Sequence, residues 1–257
     1  MFKILIVILT INFIKLPFSL SPKTKGHLYL IPSSLGDEGM AFMTAASLQI
    51  IDGICYFIVE HDRSARRFLR SIGYKKNFDE GHMYAFARDE AFTPPVSLLP
   101  YLLQGNHVGV ISEAGCPGIA DPGAGVVIWA HQHGVKVIPL VGPSSLFLAL
   151  MASGLNGQQF AFHGYLPIPA AERKARLKQL EEESLRKNQT QLFMETPYRN
   201  MSLLKDLLTT CRPADLLCIA SAITLPDEMI RTMTVGNWKN QTVDLRNKPT
   251  VFLLLAK

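Results

Sequence analysis

A loop rich in glycine and proline, residues 112–123 (SEAGCPGIADPG), directly follows a short apolar strand. Glycine permits backbone angles closed to other residues and lets a ligand lie against the main chain, while proline stiffens the loop in advance. A second loop, residues 141–145 (VGPSS), follows the next strand and opens a helix, whose first amides are free to meet a carboxylate or phosphate. Two such loops on neighbouring strand ends predict a cofactor site; two ordinary tight turns are the alternative.

Neither loop carries a familiar nucleotide or metal fingerprint. The glycines at 123 and 125 lack the third member of a dinucleotide motif, and no G-x-x-x-x-G-K-[ST] segment occurs. The four cysteines form no C-x-x-C pair, and His131 and His133 have no cysteine nearby. We therefore expect no metal site and no disulfide scaffold.

The composition describes a folded chain with a substantial core. Of 257 residues, 48% are hydrophobic and 18% charged, against about 25% charged in an ordinary soluble protein. The first 25 residues hold four of the 26 lysines and arginines and no acid, so the remainder has 22 basic against 21 acidic residues. This excludes a chain-wide positive field, and any nucleic-acid contact must come from local clustering.

The N-terminal segment, residues 1–25, poses a targeting question. An apolar run at residues 4–11 follows Lys3, as in a short signal peptide, but Pro22 makes a poor cleavage region. The run is shorter than the ~20 apolar residues that cross a bilayer. We favour an N-terminal extension, and with it a cytoplasmic protein without a stable membrane span, over a signal or anchor segment.

From residue 26 onward, strand and helix patterns alternate. The first half has predicted strands at 28–31, 54–59, 108–111 and 135–140. Predicted helices occupy residues 40–50, 62–72, 96–103 and 124–133. After helices at 144–153 and 171–187, the second half has predicted strands at 160–164, 191–195, 216–222, 229–235 and 250–256. The βαβα order predicts a mostly parallel first sheet, and the closely spaced later strands favour antiparallel pairing.

These patterns predict an α/β protein made of two α/β domains with a cofactor cleft between them. The N-terminal sheet is expected to be mostly parallel and the C-terminal sheet mixed or antiparallel. The expected division is an extension (1–25), an N-terminal α/β domain (26–143), a linker helix (144–158) and a C-terminal α/β domain (159–257).

Several segments, in consistent order, resemble motifs of the tetrapyrrole methylase superfamily. Residues 112–123 resemble its S-D-A-G-T-P-G-I-S-D-P-G, most closely in the branch that methylates a ribose 2′-oxygen of small-subunit ribosomal RNA. The other matches are GPSSL (142–146) with ASGL (152–155) to P-G-P-S-A-L … S-G-L, FHGYLP (162–167) to F-x-G-F-L-P, METPYR (194–199) to Y-E-S-P-H-R, and EHDR (60–63) to E-D-T-R. The resemblance covers about residues 28–255.

This resemblance implies a methyltransferase that uses S-adenosylmethionine, acts on ribosomal RNA or the small subunit, and forms a homodimer. The residues that it assigns to the cofactor are Glu113, Ala114, Gly115, Pro117, Gly118, Gly142, Pro143, Ser144, Ser145, Met194 and Ala220. Glu113 would balance the sulfonium or bind a hydroxyl; the alternative is a carboxylate that caps a loop amide. A ribose hydroxyl also needs a proton acceptor, for which His163 and Glu195 are candidates.

Departures from the motifs keep other functions open. PSSLGD at 32–37 replaces T-P-I-G-N, SAITLP at 221–226 replaces R-E-L-T-K, and Glu113 and Cys116 replace Asp and Thr. One alternative is methylation of a tetrapyrrole carbon. The other is a cofactor- or RNA-binding paralogue that has lost turnover.

The predicted RNA contact is a row of arginines at i, i+3, i+4 and i+7, which share one helical face. They are Arg63, Arg66, Arg67 and Arg70. Such a row engages phosphates, and a solvated face paired with nearby acids is the alternative. A second basic cluster at 173–178 precedes glutamates 181–183, which indicates charge pairing along a helix.

Overall fold

A computed structural model describes residues 24–36, 42–78, 82–86 and 97–257. The predicted N-terminal extension lies almost wholly outside these residues, as do the start of the predicted helix at 40–50 and the first residue of that at 96–103. No helix in the described ranges is long and apolar enough to cross a bilayer.

The N-terminal sheet contains only parallel pairings, as the βαβα order predicts. Its strands are β1 (His27–Ile31), β2 (Tyr56–Val59), β3 (Met83–Ala85), β4 (Val108–Ile111) and β5 (Lys136–Pro139), in the order β3-β2-β4-β1-β5. β3, which has only three residues, was not among the predicted strands. All four residues of β4 and three of the five in β1 are buried, as expected for central parallel strands.

Helices cover both faces of this sheet. They are α1 (Ala45–Gly53), α2 (Asp62–Ser71), α3 (Leu98–Leu103) and α4 (Ala124–Gln132). One core joins Ile51 and Leu69 to Phe57, and the other joins Leu98 and Val126 to Val110. α1 begins later than predicted because the Thr44 side chain caps it by accepting a hydrogen bond of 3.1 Å from the Ser47 amide.

The C-terminal sheet is mixed, as predicted. After α5 (Ser145–Ser153) it is built from β6 (Phe160–Tyr165), β7 (Thr190–Met194), β8 (Leu216–Ser221), β9 (Met229–Thr234) and β10 (Thr250–Leu255). The order is β6-β7-β10-β8-β9, with β6 and β7 parallel and the other pairs antiparallel. The expected α/β architecture, with one parallel and one mixed sheet, is therefore present.

In the described ranges, three further α-helices flank this sheet: α6 (Ala170–Lys187), α7 (Asn200–Thr210) and the short α8 (Val235–Trp238). α7 is absent from the sequence prediction, although Leu203, Leu204 and Leu207 give it one apolar face. That face packs with α6 over Phe193 and Phe252 of the sheet. The omission matters because α7 supplies the charge partner of a buried arginine on α6.

Candidate functional site

The loops after β1, β4 and β5 lie together at the carboxyl edge of the N-terminal sheet. β1 pairs with both β4 and β5, so the three strand ends are neighbours. Ser33 and Gly115 exchange backbone hydrogen bonds of 2.9 and 3.3 Å, and the Cys116 thiol donates to the Pro143 carbonyl at 3.5 Å. The segment that connects β4 to β5 passes over β1, so the order in which strands are added to the sheet reverses at this point. Open α/β sheets bind ligands at such a reversal of strand order.

Two glycines make this close packing of loops possible. A Cβ at Gly142 would lie 2.5 Å from Cβ of Pro32, a separation that real Cβ atoms do not adopt. Gly115 has a φ of +74°, in the left-handed region that favours glycine. The loops after β1 and β5 therefore touch through a position without a side chain, while the loop after β4 turns sharply between them.

The C-terminal sheet closes the other side of the site. Val251 of β10 pairs with Met194 of β7 and with Ala220 of β8, so the three residues form a row across the sheet. The row and the loops enclose a cavity of about 370 Å³. Ligand pockets in proteins typically measure roughly 300–1,000 Å³, so the cavity can take a nucleoside-sized molecule.

Most of the residues predicted to hold a cofactor line this cavity. They are Glu113, Ala114, Gly115, Ser144, Ser145, Met194 and Ala220. Pro117, Gly118, Gly142 and Pro143 do not line it. Of these, Gly142 packs on Pro32, and the Pro143 carbonyl accepts a hydrogen bond from the Cys116 thiol. The Gly118 amide donates a hydrogen bond to Asp121 at 2.9 Å. Their contacts hold the loops in place.

The Glu113 carboxylate faces the cavity and does not cap a loop amide. Its Oε1 accepts a hydrogen bond of 2.6 Å from Ser64 and lies 3.4 Å from Nδ1 of His61, both at the start of α2. Asp121 caps the loop instead, because its Oδ1 accepts from the amides of Gly118 and Gly123. Glu113 therefore joins the loop to α2 and leaves a negative charge at the cavity wall.

Glu60, which follows β2, lines the cavity beside Asp121 and Glu113 and was not among the predicted cofactor residues. Burial, a side-chain hydrogen bond with Asp121 and the negative charges of Asp121 and Glu113 raise the pKa of Glu60 to about 7. The Glu113 amide donates to its Oε1 at 3.3 Å and acts in the opposite direction. Near neutral pH this carboxyl therefore both binds and releases a proton.

Of the two proton acceptors considered from the sequence, only Glu195 reaches the cavity. Its Oε1 accepts hydrogen bonds of 2.6 Å from Arg199 and 2.7 Å from the Thr196 amide. His163 does not line the cavity, and its ring meets Gln191 at 2.6 Å and Arg176 at 3.3 Å. The geometry gives no support to His163 as the base.

Two alanines that line the cavity adopt left-handed backbone angles, with φ of 55° at Ala120 and 52° at Ala222. Such residues cost roughly 1–3 kcal/mol each and collect at functional sites. Ala222 belongs to the segment 221–226 that departs from the family motif. Ile223 and Leu225 of the same segment also line the cavity, so the segment forms part of its wall.

The predicted row of arginines lies on α2, which begins next to Glu60 at the cavity. Arg66 pairs with Asp62 at 2.6 Å, and the Arg70 guanidinium lies 4.4 Å from the centre of the Phe78 ring. Arg63 and Arg67 are exposed and form no hydrogen bond or ion pair with any residue in the described ranges. Half of the row is thus paired, and two arginines stay free for an anion.

The second basic cluster pairs with acids, as its sequence pattern indicates. Lys178 meets Glu181 at 3.1 Å and Arg176 meets Glu183 at 3.7 Å along α6, whereas Arg173 is buried against Asp206 of α7. Within the part of the chain that the structure describes, no three His, Cys, Asp or Glu side chains could jointly hold a metal ion.

Known proteins with similar sequences are ribosomal RNA small subunit methyltransferases I. The Escherichia coli O157:H7 protein is 26% identical over 90% of this chain and 78% of its own length. The Vibrio cholerae serotype O1 protein is 30% identical over 81% of this chain and 69% of its own length. The Streptococcus pyogenes serotype M3 protein is 35% identical over 73% of this chain and 60% of its own length. The chain thus spans between 60% and 78% of the length of these relatives.

Two solved structures share the fold. The methyltransferase CobJ aligns with a TM-score of 0.55 at 18% identity, over 90% of this chain and 94% of its own. Precorrin-6Y methylase of cobalamin biosynthesis from Archaeoglobus fulgidus aligns with a TM-score of 0.53 at 16% identity, over 90% and 99%. A family model described as Tetrapyrrole (Corrin/Porphyrin) Methylases matches residues 28–238. The chain belongs to the tetrapyrrole (corrin/porphyrin) methylase family and is a methyltransferase by that membership.

Proposed function

We propose that this protein transfers a methyl group from S-adenosylmethionine to a ribose 2′-oxygen of small-subunit ribosomal RNA. The observation that carries the proposal is the cavity between the two sheets, together with two arginines that are free within the described ranges and lie on α2, the helix that begins two residues after the cavity residue Glu60. The similarity to small-subunit ribosomal RNA methyltransferases supports the substrate class.

The residues around the cavity fit this cofactor. Gly115 and Ala114 have small or no side chains, so the cofactor can lie against their main chain. Met194 and Val251 supply an apolar wall, and Glu113 supplies a negative charge. When bound, S-adenosylmethionine supplies a methyl group that its sulfonium has already activated. The task left to the protein is to hold that methyl in line with the attacking oxygen and to exclude water.

The test is methyl labelling of a defined RNA substrate. Purified protein is incubated with tritiated S-adenosylmethionine and small ribosomal subunits or deproteinised ribosomal RNA, and the RNA is then digested to nucleosides. The expected product is a labelled 2′-O-methylated nucleoside. Cofactor binding without any labelled RNA would overturn the proposal, and a parallel incubation with porphyrinogen or corrin precursors then distinguishes tetrapyrrole methylation from a loss of turnover.

The side chain of Arg67, exposed and unpaired within the described residues, leads to a prediction about the affinity for RNA. Arg67→Ala removes one phosphate contact, so we expect weaker binding of ribosomal RNA and a salt dependence of log Kd whose slope falls by about 1. Filter binding over a range of salt concentrations measures both quantities. The affinity for the cofactor should not change, because Arg67 does not line the cavity.

The matched control for this prediction is Arg186→Ala. Arg186 is likewise exposed, but it lies in the last turn of α6. It should leave both the affinity and the salt slope at the wild-type values. Equal losses in the two variants would mean that the arginines of α2 have no special part in binding RNA.

We also propose that the protein acts in the cytoplasm as a homodimer. The support for a dimer is an apolar surface around α5, where Val141, Phe147 and Met151 are each more than half exposed. Phe147 and Met151 lie one helical turn apart and share a face. Light scattering at micromolar concentration should give twice the chain mass, and a monomer would contradict this part of the proposal.

A further inference from the structure

The cavity wall next to α2 holds a carboxyl group whose lone pairs are largely uncommitted. Asp121 uses its Oδ1 to accept two loop amides, and Glu113 uses its Oε1 for the Ser64 hydroxyl. Glu60 accepts one long backbone hydrogen bond of 3.3 Å and shares a side-chain hydrogen bond with Asp121. Of the three, Glu60 receives the weakest hydrogen-bond donation from the protein, at 3.3 Å against 2.6 Å for Glu113 and 2.7 and 2.9 Å for Asp121, so its carboxylate is the one least committed to holding the loops.

An independent observation on the opposite wall also indicates a ligand that carries hydrogen-bond donors. The Glu195 side chain is fully buried, and its Oε2 has no hydrogen-bond partner among the described residues, although Glu195 lines the cavity. A buried acceptor left without a partner is costly, and a bound ligand with hydroxyl or amino groups would satisfy it. Both walls therefore offer acceptors to a molecule such as a ribose.

We propose that Glu60 is the catalytic residue that accepts the proton of the substrate hydroxyl during methyl transfer. This inference rests on the proposed function. In the step, the hydroxyl oxygen bonds to the methyl carbon, the carbon–sulfur bond breaks, and its electron pair goes to sulfur. The hydroxyl proton moves to the Glu60 carboxylate, which later releases it to solvent. The products are a methyl ether and a neutral thioether, so charge and atoms balance.

The surroundings of Glu60 suit this role. The charged and titratable groups that face it are Asp121 and Glu113 on the loop after β4 and His61 at the start of α2, with Glu195 on the far wall. The carboxylates beside Glu60, together with its burial, favour its protonated form and raise its pKa to about 7. A general base is most effective when its pKa lies near the working pH.

Glu60→Gln keeps the shape of the side chain and removes its basicity, so it is the direct test. We expect kcat to fall about 100-fold, as is typical when a general base is lost, while calorimetry shows unchanged affinity for S-adenosylmethionine. In the wild type, kcat/KM should rise with pH through about 7, the value to which the pKa of Glu60 is raised. The variant should lack this rise, and Glu60→Asp should restore part of it.

A second measurement uses the protein without cofactor or RNA. With glutamate labelled by carbon-13 at the side-chain carboxyl, NMR should show one carboxyl that titrates near pH 7 and is missing in Glu60→Gln. As pH rises through about 7, the free energy of unfolding of Glu60→Gln should also fall less than that of the wild type. A carboxyl whose pKa is higher in the folded than in the unfolded state contributes its full stability at pH values below the unfolded-state pKa. That contribution is lost as pH rises through the folded-state pKa, and glutamine, which does not titrate, shows no such loss.

Glu172→Gln is the matched control, because Glu172 is an exposed glutamate in the first turn of α6. It should match the wild type in rate, pH profile and NMR titration. If the wild type methylates RNA and Glu60→Gln keeps its rate and pH profile, the assignment of Glu60 is wrong and the proposed function stands. If the wild type methylates no RNA, the proposed function fails and the assignment fails with it.

Discussion

Replacing Gly115 by valine should weaken the binding of S-adenosylmethionine at least ~100-fold, a loss of about 2.8 kcal/mol in binding free energy. Gly115 lines the cavity, and a Cβ built on it lies 3.5 Å from Cδ2 of Leu35 and 3.8 Å from the Pro143 carbonyl. The two γ-methyl groups of valine must extend beyond that Cβ into space between the loops or within the cavity. Calorimetric titration with the cofactor measures the effect.

The control is Gly73→Val, which separates the loss of the site from the cost of backbone strain. Gly73 also has a positive φ, of +85°, and a Cβ on it would meet nothing within 4 Å. Both variants place a β-branched residue in the left-handed region, at a cost of at least about 1–2 kcal/mol in stability. Only Gly115→Val should lose the cofactor; equal affinities in the two variants would show that the loop after β4 does not contact it.

The second large effect concerns the stability of the C-terminal half. Asp206→Ala should lower the free energy of unfolding by about 3–5 kcal/mol, because it leaves a buried arginine without its counter-ion. The exposed fractions of the Arg173 and Asp206 side chains are 4% and 8%. Nε of Arg173 donates to Asp206 at 2.8 Å, and its other nitrogens donate to the Ile168 carbonyl and the Ser202 hydroxyl.

Thermal and denaturant unfolding measure this prediction, and two further variants make it specific. The double variant Arg173→Met with Asp206→Leu should recover much of the loss, since an apolar pair of similar volume replaces the buried charges. Asp244→Ala breaks an ion pair of 2.7 Å between Asp244, whose side chain is 56% exposed, and Arg246, whose side chain is 74% exposed. This variant should leave stability unchanged, because exposed ion pairs contribute little. Equal effects of Asp206→Ala and Asp244→Ala would contradict the account.

The sequence predicts the elements around the site well because the residues that end each strand or helix act locally. Pro32 follows β1, Gly73 follows Ile72 at the C-cap of α2, and Gly154 caps α5 with a φ of +68°. Since parallel strands bring their carboxyl ends to one edge, the two loops rich in glycine and proline could be expected to meet there. Hydrogen bonds between Ser33 and Gly115 add the loop after β1 to that group.

The chemistry of the cavity was harder to predict, because it depends on residues far apart in the chain. The raised pKa of Glu60 comes from burial and from Asp121, which no spacing rule connects to it. The left-handed angles of Ala120 and Ala222 carry no sequence signal, since alanine does not favour them. Phe78, which covers Arg66 and Arg70, likewise comes from outside their helix.

The most direct measurement of the central claim is protection of Cys116 by S-adenosylmethionine. Cys116 lines the cavity and Cys55 does not, and both are half-buried free thiols. Alkylation by iodoacetamide, followed site by site with mass spectrometry, is best run at mildly alkaline pH because burial raises the pKa of the Cys116 thiol. Saturating cofactor should slow modification of Cys116 and leave that of Cys55 unchanged. Unchanged rates at both cysteines, at a cofactor concentration where calorimetry shows binding, would place the cofactor elsewhere and contradict the account.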